Sequence, residues 1–304
     1  MRLVFFGTPA PAVPVLHAVH HAGHDVALVV TQPERRRGRG GTLIPSPIHA
    51  AAAELDLPVR TPDRAREVVD ELTSLRPDAG VVVAFGQLLP RPVLAAVPGG
   101  LVNLHLSLLP RWRGAAPVER AILAVDPETG VSVMRIDAGL DTGPVYRTVR
   151  TPIGDTETGG ELTDRLVTLG TPALLEVLAG LPDLEPEEQQ GDATYAEKLN
   201  VEEFHLDPSH PAARLVRVVR AGNPRPGAWL VANGKRVKVL RAHAIPGDAP
   251  AGAARSELRW PGATLQTASG TLVLDEVQVE GRRPMSADAW LAGSGRRQGS
   301  VPVS

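Results

Sequence analysis

Seven consecutive residues, Ala79-Gly80-Val81-Val82-Val83-Ala84-Phe85, carry no polar side chain. A run of that length reads as a strand buried on both faces, and such a strand needs cover on both sides. Strand patterns over 2–6, 25–30, 101–105, 131–136 and 145–149 alternate with helical patterns over 13–21, 48–55, 65–75 and 162–178. Alternation of this kind implies a mainly parallel α/β sheet, Rossmann-like, with helices on both faces. Aromatic residues make up only 3% of the chain, so the core has to be aliphatic.

The pattern changes after residue 181. Leu181-Pro182-Asp183-Leu184-Glu185-Pro186-Glu187-Glu188-Gln189-Gln190 is rich in Pro and Glu and reads as the start of a linker. The expected organisation is a catalytic domain over 1–182, a linker over 183–206 and a smaller domain over 207–304. In the last part a helix at 212–221 precedes short strands at 228–231, 236–244, 263–267 and 272–279, with Asn233-Gly234 as a hairpin turn. Short strands separated by turns fit an OB-like β-barrel, a shape often used to bind oligonucleotides. Charge segregates along the same line. Residues 1–205 hold 18 Lys/Arg and 27 Asp/Glu, net −9, whereas 206–304 hold 14 and 7, net +7. A basic domain joined to an acidic one points to a polyanionic partner.

Several classes are excluded at once. There is no cysteine, hence no disulfide, thiol nucleophile or thiolate metal site. No apolar run approaches the roughly 20 residues that span a bilayer, and the N-terminal run reads as a first strand. A soluble, cytoplasmic monomer is expected. Gly7-Thr8-Pro9-Ala10-Pro11 puts prolines where a dinucleotide fingerprint needs glycines. His20, His21 and His24 read as the surface end of a helix, and no metal is expected.

The chemistry concentrates in Asn103-Leu104-His105-Leu106-Ser107-Leu108-Leu109-Pro110. Asn103 and His105 are two apart on a strand and share a face. An amide beside an imidazole can stabilise one developing oxyanion and handle one proton, which suits acyl transfer. For an isolated Asn-x-His, a buried and satisfied histidine is the commoner outcome. Asp141 shifts the balance, because a carboxylate in the following loop can orient the imidazole. Asp137 and Asp141 can equally serve as turn formers. Ser107 lacks the G-x-S-x-G elbow of a serine nucleophile.

This octapeptide with Asp141 downstream resembles the signature of the 10-formyltetrahydrofolate-dependent formyltransferases. Further stretches resemble the members that act on methionyl-tRNA. They are Arg111-Trp112-Arg113-Gly114-Ala115-Ala116-Pro117, Thr31-Gln32-Pro33, Pro45-Ser46-Pro47, Thr194-Tyr195-Ala196-Glu197-Lys198-Leu199 and Arg220-Ala221-Gly222-Asn223-Pro224. The resemblance runs nearly end to end. It implies Asn103, His105 and Asp141 as catalytic residues and 10-formyltetrahydrofolate as formyl donor. It implies a folate site formed by Phe85, Gly86, Gln87, Leu88 and Leu89 with Ser107, Leu108, Leu109, Pro110, Asp137 and Gly139. The partner it implies is charged initiator tRNA. Arg35, Arg36, Arg37 and Arg39 lie in a Gly-rich loop suited to phosphates and base edges. In tRNA-formylating relatives the matching loop enters the end of the acceptor stem, which makes Arg39 the leading candidate. Arg214, Arg217 and Arg220 are the candidates in the basic domain. Three alternatives stay open: a formyltransferase for another amine, such as glycinamide ribonucleotide or a nucleotide-linked amino sugar; a tRNA-binding module with an inactive catalytic half; and a nucleotide-dependent α/β enzyme.

Overall fold

A computed structural model describes residues 1–37, 42–181, 183–247, 257–259, 262–293 and 300–303. The chain divides into two compact units. The first comprises Met1–Pro117, Pro127–Pro152 and Thr163–Glu197; the second comprises Val118–Asp126, Ile153–Leu162 and Lys198–Ser304.

The first unit is built on a seven-stranded sheet. Its order is Val145–Pro152, Glu128–Arg135, Leu101–His105, Ala79–Val83, Arg2–Gly7, Asp25–Val30 and Val59–Arg60. The last five strands in that order are parallel to one another, and Glu128–Arg135 runs antiparallel to both of its neighbours. Every residue of Ala79–Val83 is buried, as its all-apolar sequence requires. Along one face, Val4, Phe6, Leu28, Val30, Val82 and Leu101 form a core with Phe85 and with Ala65, Val68 and Leu72. Phe6 and Phe85 meet edge to face with centroids 5.4 Å apart, a geometry worth about 0.5–1.5 kcal/mol beyond burial. Leu101 lies in that core, so by alternation Asn103 and His105 project from the same face nearer the strand's end.

The remaining helices of this unit start where local chemistry allows. Ser46 caps Pro47–Glu54 by accepting the His49 N–H at 3.0 Å, and Pro47 occupies the first helical turn at no hydrogen-bonding cost. The 65–75 segment, expected as one helix, opens as a 3₁₀ turn at Ala65–Val68 and continues as an α-helix over Val69–Leu75.

The second unit holds an antiparallel sheet in the order Ala228–Ala232, Lys235–Ile245, Thr271–Val279, Thr264–Gln266, Glu257–Arg259 and Ser300–Pro302. A bridge between Ala232 and Val303 brings the two ends together, which makes the sheet a nearly closed barrel. Asn233 and Gly234 both have positive φ, 51° and 70°, as the two-residue turn joining Ala232 to Lys235 demands. Helix Ala212–Gly222 buries Leu215, Val218 and Val219 on one stripe.

Candidate active site

His105 is 6% exposed, and its Nε2 lies 2.9 Å from the carbonyl oxygen of Trp112. A carbonyl only accepts, so Nε2 carries the hydrogen and Nδ1 is the nitrogen left to exchange protons. Nδ1 faces Oδ2 of Asp141 at 3.8 Å. That separation exceeds a direct hydrogen bond but is close enough for charge to be felt. The same carboxylate oxygen accepts the Gly114 N–H at 2.8 Å. The ring is therefore oriented by the Trp112 carbonyl, while Asp141 supplies a fixed negative charge opposite Nδ1. Half-buried Asn103 stands two residues before His105 on the same strand face.

The path of the chain to Asp141 is indirect. Strand Glu128–Arg135 runs antiparallel to Leu101–His105, with Arg135 opposite Val102 and Ser132 opposite His105. It thus passes the histidine and ends three residues beyond it, roughly 10 Å away at about 3.3 Å per residue. Asp141 reaches the imidazole because residues 136–144 double back along the sheet. Gly143 makes the return possible: a Cβ there would stand 1.9 Å from the Arg135 carbonyl oxygen.

Three residues around this centre have left-handed backbones without being glycine. They are Ala84 at φ 47°, Trp112 at φ 62° and Asp141 at φ 50°. Each such residue costs about 1–2 kcal/mol, and strained residues persist where surrounding bonds over-determine them. At Phe85 the determining bonds are visible. Its carbonyl accepts both the Thr8 hydroxyl and the Gln32 amide N–H, each at 2.9 Å. Gly86, at φ 80°, leaves room for Gln32, whose Nε2 would sit 2.5 Å from any Cβ. Gln87 turns inward, accepting the Ala65 N–H at 2.8 Å and donating to the Pro62 carbonyl at 3.3 Å. Leu88 is left 82% exposed, and Leu140 on the Asp141 loop is also exposed. Exposed leucines on loops with accessible backbone groups suit a flat heteroaromatic ring that stacks and hydrogen-bonds along its edge.

Known proteins resemble the chain over nearly its whole length. The formyl transferase family model matches residues 1–178, and the model of the formyl transferase C-terminal domain matches residues 198–295. The methionyl-tRNA formyltransferase of Paracoccus denitrificans is 46% identical over 296 residues, 96% of this chain and 97% of that protein. That of Thermus thermophilus is 47% identical over 302 residues, 99% of this chain and 98% of that protein. The chain belongs to the methionyl-tRNA formyltransferase family. Two solved structures share the fold. Methionyl-tRNA formyltransferase from Clostridium thermocellum has a TM-score of 0.61 at 15% identity, covering 92% of this chain and 98% of that one. HypX from Aquifex aeolicus in complex with tetrahydrofolic acid has a TM-score of 0.69 at 16% identity, covering 98% of this chain and 48% of that longer one.

Within this formyltransferase, the folate-site candidates divide by what their side chains already do. Ser107 is fully buried, its hydroxyl donating to the Arg111 carbonyl at 2.6 Å, while its own carbonyl accepts the Ser132 hydroxyl at 2.8 Å. The Leu109 N–H donates to that same Ser132 hydroxyl at 3.1 Å. Ser107, Leu109 and their neighbours Leu108 and Pro110 therefore form a turn fixed from beneath, which offers surface and backbone to a ligand but no serine hydroxyl. Asp137 is exposed, 4.0 Å from Arg135. Gly139 packs against Thr142, where a Cβ would meet the hydroxyl at 2.2 Å.

The arginine candidates also differ from one another. Arg35–Arg37 form a short strand paired with Thr42–Ile44, and Arg39 lies outside the described residues. At the base of this ribbon the buried hydroxyls of Thr31 and Ser46 meet at 2.7 Å. Arg214 is exposed and Arg217 partly so. Arg220 is engaged within its own unit, donating to the Glu157 carbonyl at 2.9 Å and the Gly154 carbonyl at 2.6 Å, which leaves it poorly placed to contact phosphate.

Sequence reasoning missed the residues that act through backbone or from the supposed linker. The Trp112 N–H donates to the Thr194 hydroxyl at 2.9 Å, and Tyr195–Ala196 pairs in parallel with Arg113–Gly114. It also missed that His17 and His21 stand one helical turn apart, with ring centroids 6.0 Å from each other. Among the described residues no group of three or more His, Asp or Glu side chains could hold a metal ion, and no helix is long and apolar enough to cross a membrane.

Proposed function

We propose that this chain transfers the formyl group of 10-formyltetrahydrofolate to the amino group of methionine on charged initiator tRNA, acting as a cytoplasmic monomer in translation initiation. The observation that carries the reading is the approach of Asp141 to His105, with Asn103 two residues earlier on the same strand, in a chain 46–47% identical, over almost its whole length, to relatives that bear this name.

The donor supplies an activated formyl group on a ring-linked nitrogen. It would be held by the loop 85–89, by the turn 107–110 and by the loop 137–141, through backbone groups and the exposed Leu88 and Leu140. As the amine nitrogen bonds to the formyl carbon, negative charge grows on the formyl oxygen, where the Asn103 amide donates. His105 Nδ1 takes the proton released by the amine and passes it to the departing folate nitrogen. During that relay the imidazolium is stabilised by the Asp141 carboxylate at 3.8 Å and held in plane by the Trp112 carbonyl. Arg39 and its neighbours Arg35, Arg36 and Arg37 position the acceptor end of the tRNA, and Arg214 and Arg217 contact its phosphates.

The test is single-turnover transfer from 10-formyltetrahydrofolate to methionyl initiator tRNA, comparing the native enzyme with His105→Ala. Native enzyme should complete the transfer, and the variant should be slower by about 10²–10⁴-fold, the range for a lost acid–base group. Equal rates would remove His105 from the mechanism.

A further inference from the structure

The stretch 187–196, which follows the Pro- and Glu-rich run, is a clasp on the loop that carries Asp141, and one side chain does most of the holding. Gln189 Oε1 accepts from both Nε and Nη2 of Arg113, at 3.0 and 2.7 Å. Its Nε2 donates to the carbonyls of Asp141 and Gly143, both at 2.8 Å. Two bonds accepted and two donated exhaust what a primary amide can make. The orientation is fixed by chemistry, since a guanidinium only donates and carbonyls only accept. On either side the chain is tied down by its backbone: Glu187 exchanges hydrogen bonds with Val145 at 2.7 and 2.9 Å, and Thr194 accepts the Arg113 N–H at 2.9 Å.

We propose that Gln189 is a positioning residue for Asp141. Asp141 has a left-handed backbone at φ 50°, a conformation that aspartate tolerates better than most residues, so the bonds around it set how well it is kept. Gln189 grips the carbonyl of that residue and links the loop to Arg113. The residue after Arg113, Gly114, donates its N–H to the Asp141 carboxylate at 2.8 Å. Backbone and side chain of Asp141 are thus tied to one two-residue segment, and the carboxylate stays opposite His105 Nδ1. Without the amide, residues 141–143 lose their two bonds to the clasp, and the carboxylate drifts from the imidazole. The role rests on the reading of Asp141 as part of the catalytic centre.

The test uses the full-length enzyme with Gln189→Met and Gln189→Glu. Methionine keeps the volume and removes all four bonds. Glutamate keeps the acceptors for Arg113 but has no N–H for the two carbonyls. Amide hydrogen exchange over residues 139–143, measured without substrate, should accelerate in both variants while exchange in the sheet stays unchanged. In turnover of charged initiator tRNA, kcat should fall by about 10–100-fold in both, the cost of an ångström-scale misplacement, with both KM values unchanged. In an Asp141→Asn background Gln189→Met should add no further loss, because the group it positions is already gone. Unaltered exchange over 139–143 would overturn the proposal, and so would losses that multiply fully in the double variant. The exchange measurement needs no formyl transfer, so its failure is distinct from failure of the proposed reaction.

Discussion

At the scale of single residues, the site depends on atoms whose partners dictate their state. His105 has one nitrogen committed to a carbonyl and the other facing Asp141, which is why the proposed proton relay is assigned to Nδ1. Asn103 is the proposed neighbouring donor. Asn103→Ala should lower kcat by about 10²–10³-fold with the fold intact, the cost of one lost oxyanion donor; stopped-flow turnover together with a melting curve checks both halves. A rise confined to KM, with kcat unchanged, would mean that Asn103 only binds substrate. Asn103, His105 and Asp141 were legible as candidates because strand alternation places the first two on one face and a Gly-bearing loop carries the third. What stayed illegible is what holds them. Trp112 acts through a carbonyl, which no side-chain pattern reveals, and Gln189 lies 48 residues beyond the aspartate it grips, in a stretch that composition marks as a linker.

Among the elements, those with a strong period were readable: Val13–His21, Asp25–Val30 and Leu101–His105 fall where the pattern puts them. Elements of weak pattern were not. Strand Ser300–Pro302 has one apolar residue flanked by Ser and Pro, and it exists because pairing with Glu257–Arg259 completes the barrel wall. Helix Arg91–Ala95 is a single turn and a half begun by Pro92, too short for any period to show. The helix Gly159–Gly180 starts three residues before its apolar pattern, and the reason is a capping box. Glu161 accepts the Thr158 N–H at 2.9 Å while its own N–H reaches the Thr158 hydroxyl at 3.3 Å. The Thr158 N–H, and then Arg241, hold the Glu161 carboxyl below its ordinary value. A folded value below the unfolded one contributes stability above the unfolded value, and that stability is lost as pH falls through the folded one. The melting temperature should therefore fall further between about pH 6 and about pH 3 in the native protein than in Glu161→Gln. Identical falls would show that the cap carries no charge-dependent stabilisation.

Over the whole molecule, the division of charge bears on the behaviour expected toward tRNA. Residues 206–304 carry +7 against −9 for the rest, so affinity for tRNA should fall steeply with salt as phosphate contacts release counterions. Arg214→Ala and Arg217→Ala should each flatten the log–log slope by about 0.7–0.9. Arg220→Ala should lower the melting temperature and leave the slope unchanged, because its guanidinium already bonds the Glu157 and Gly154 carbonyls. Binding titrations at four salt concentrations separate the two outcomes. The fold class, the barrel and the charge division were all legible in the chain, because each follows from patterns spread over many residues. The detour of residues 136–144 was not, since it depends on one antiparallel strand within a mainly parallel sheet. The most direct measurement offers the enzyme labelled 10-formyltetrahydrofolate with three amines in competition: methionyl initiator tRNA, glycinamide ribonucleotide and a nucleotide-linked amino sugar. Label should be recovered as N-formylmethionine on the tRNA, and label recovered on either small amine with none on the tRNA would contradict the proposed function.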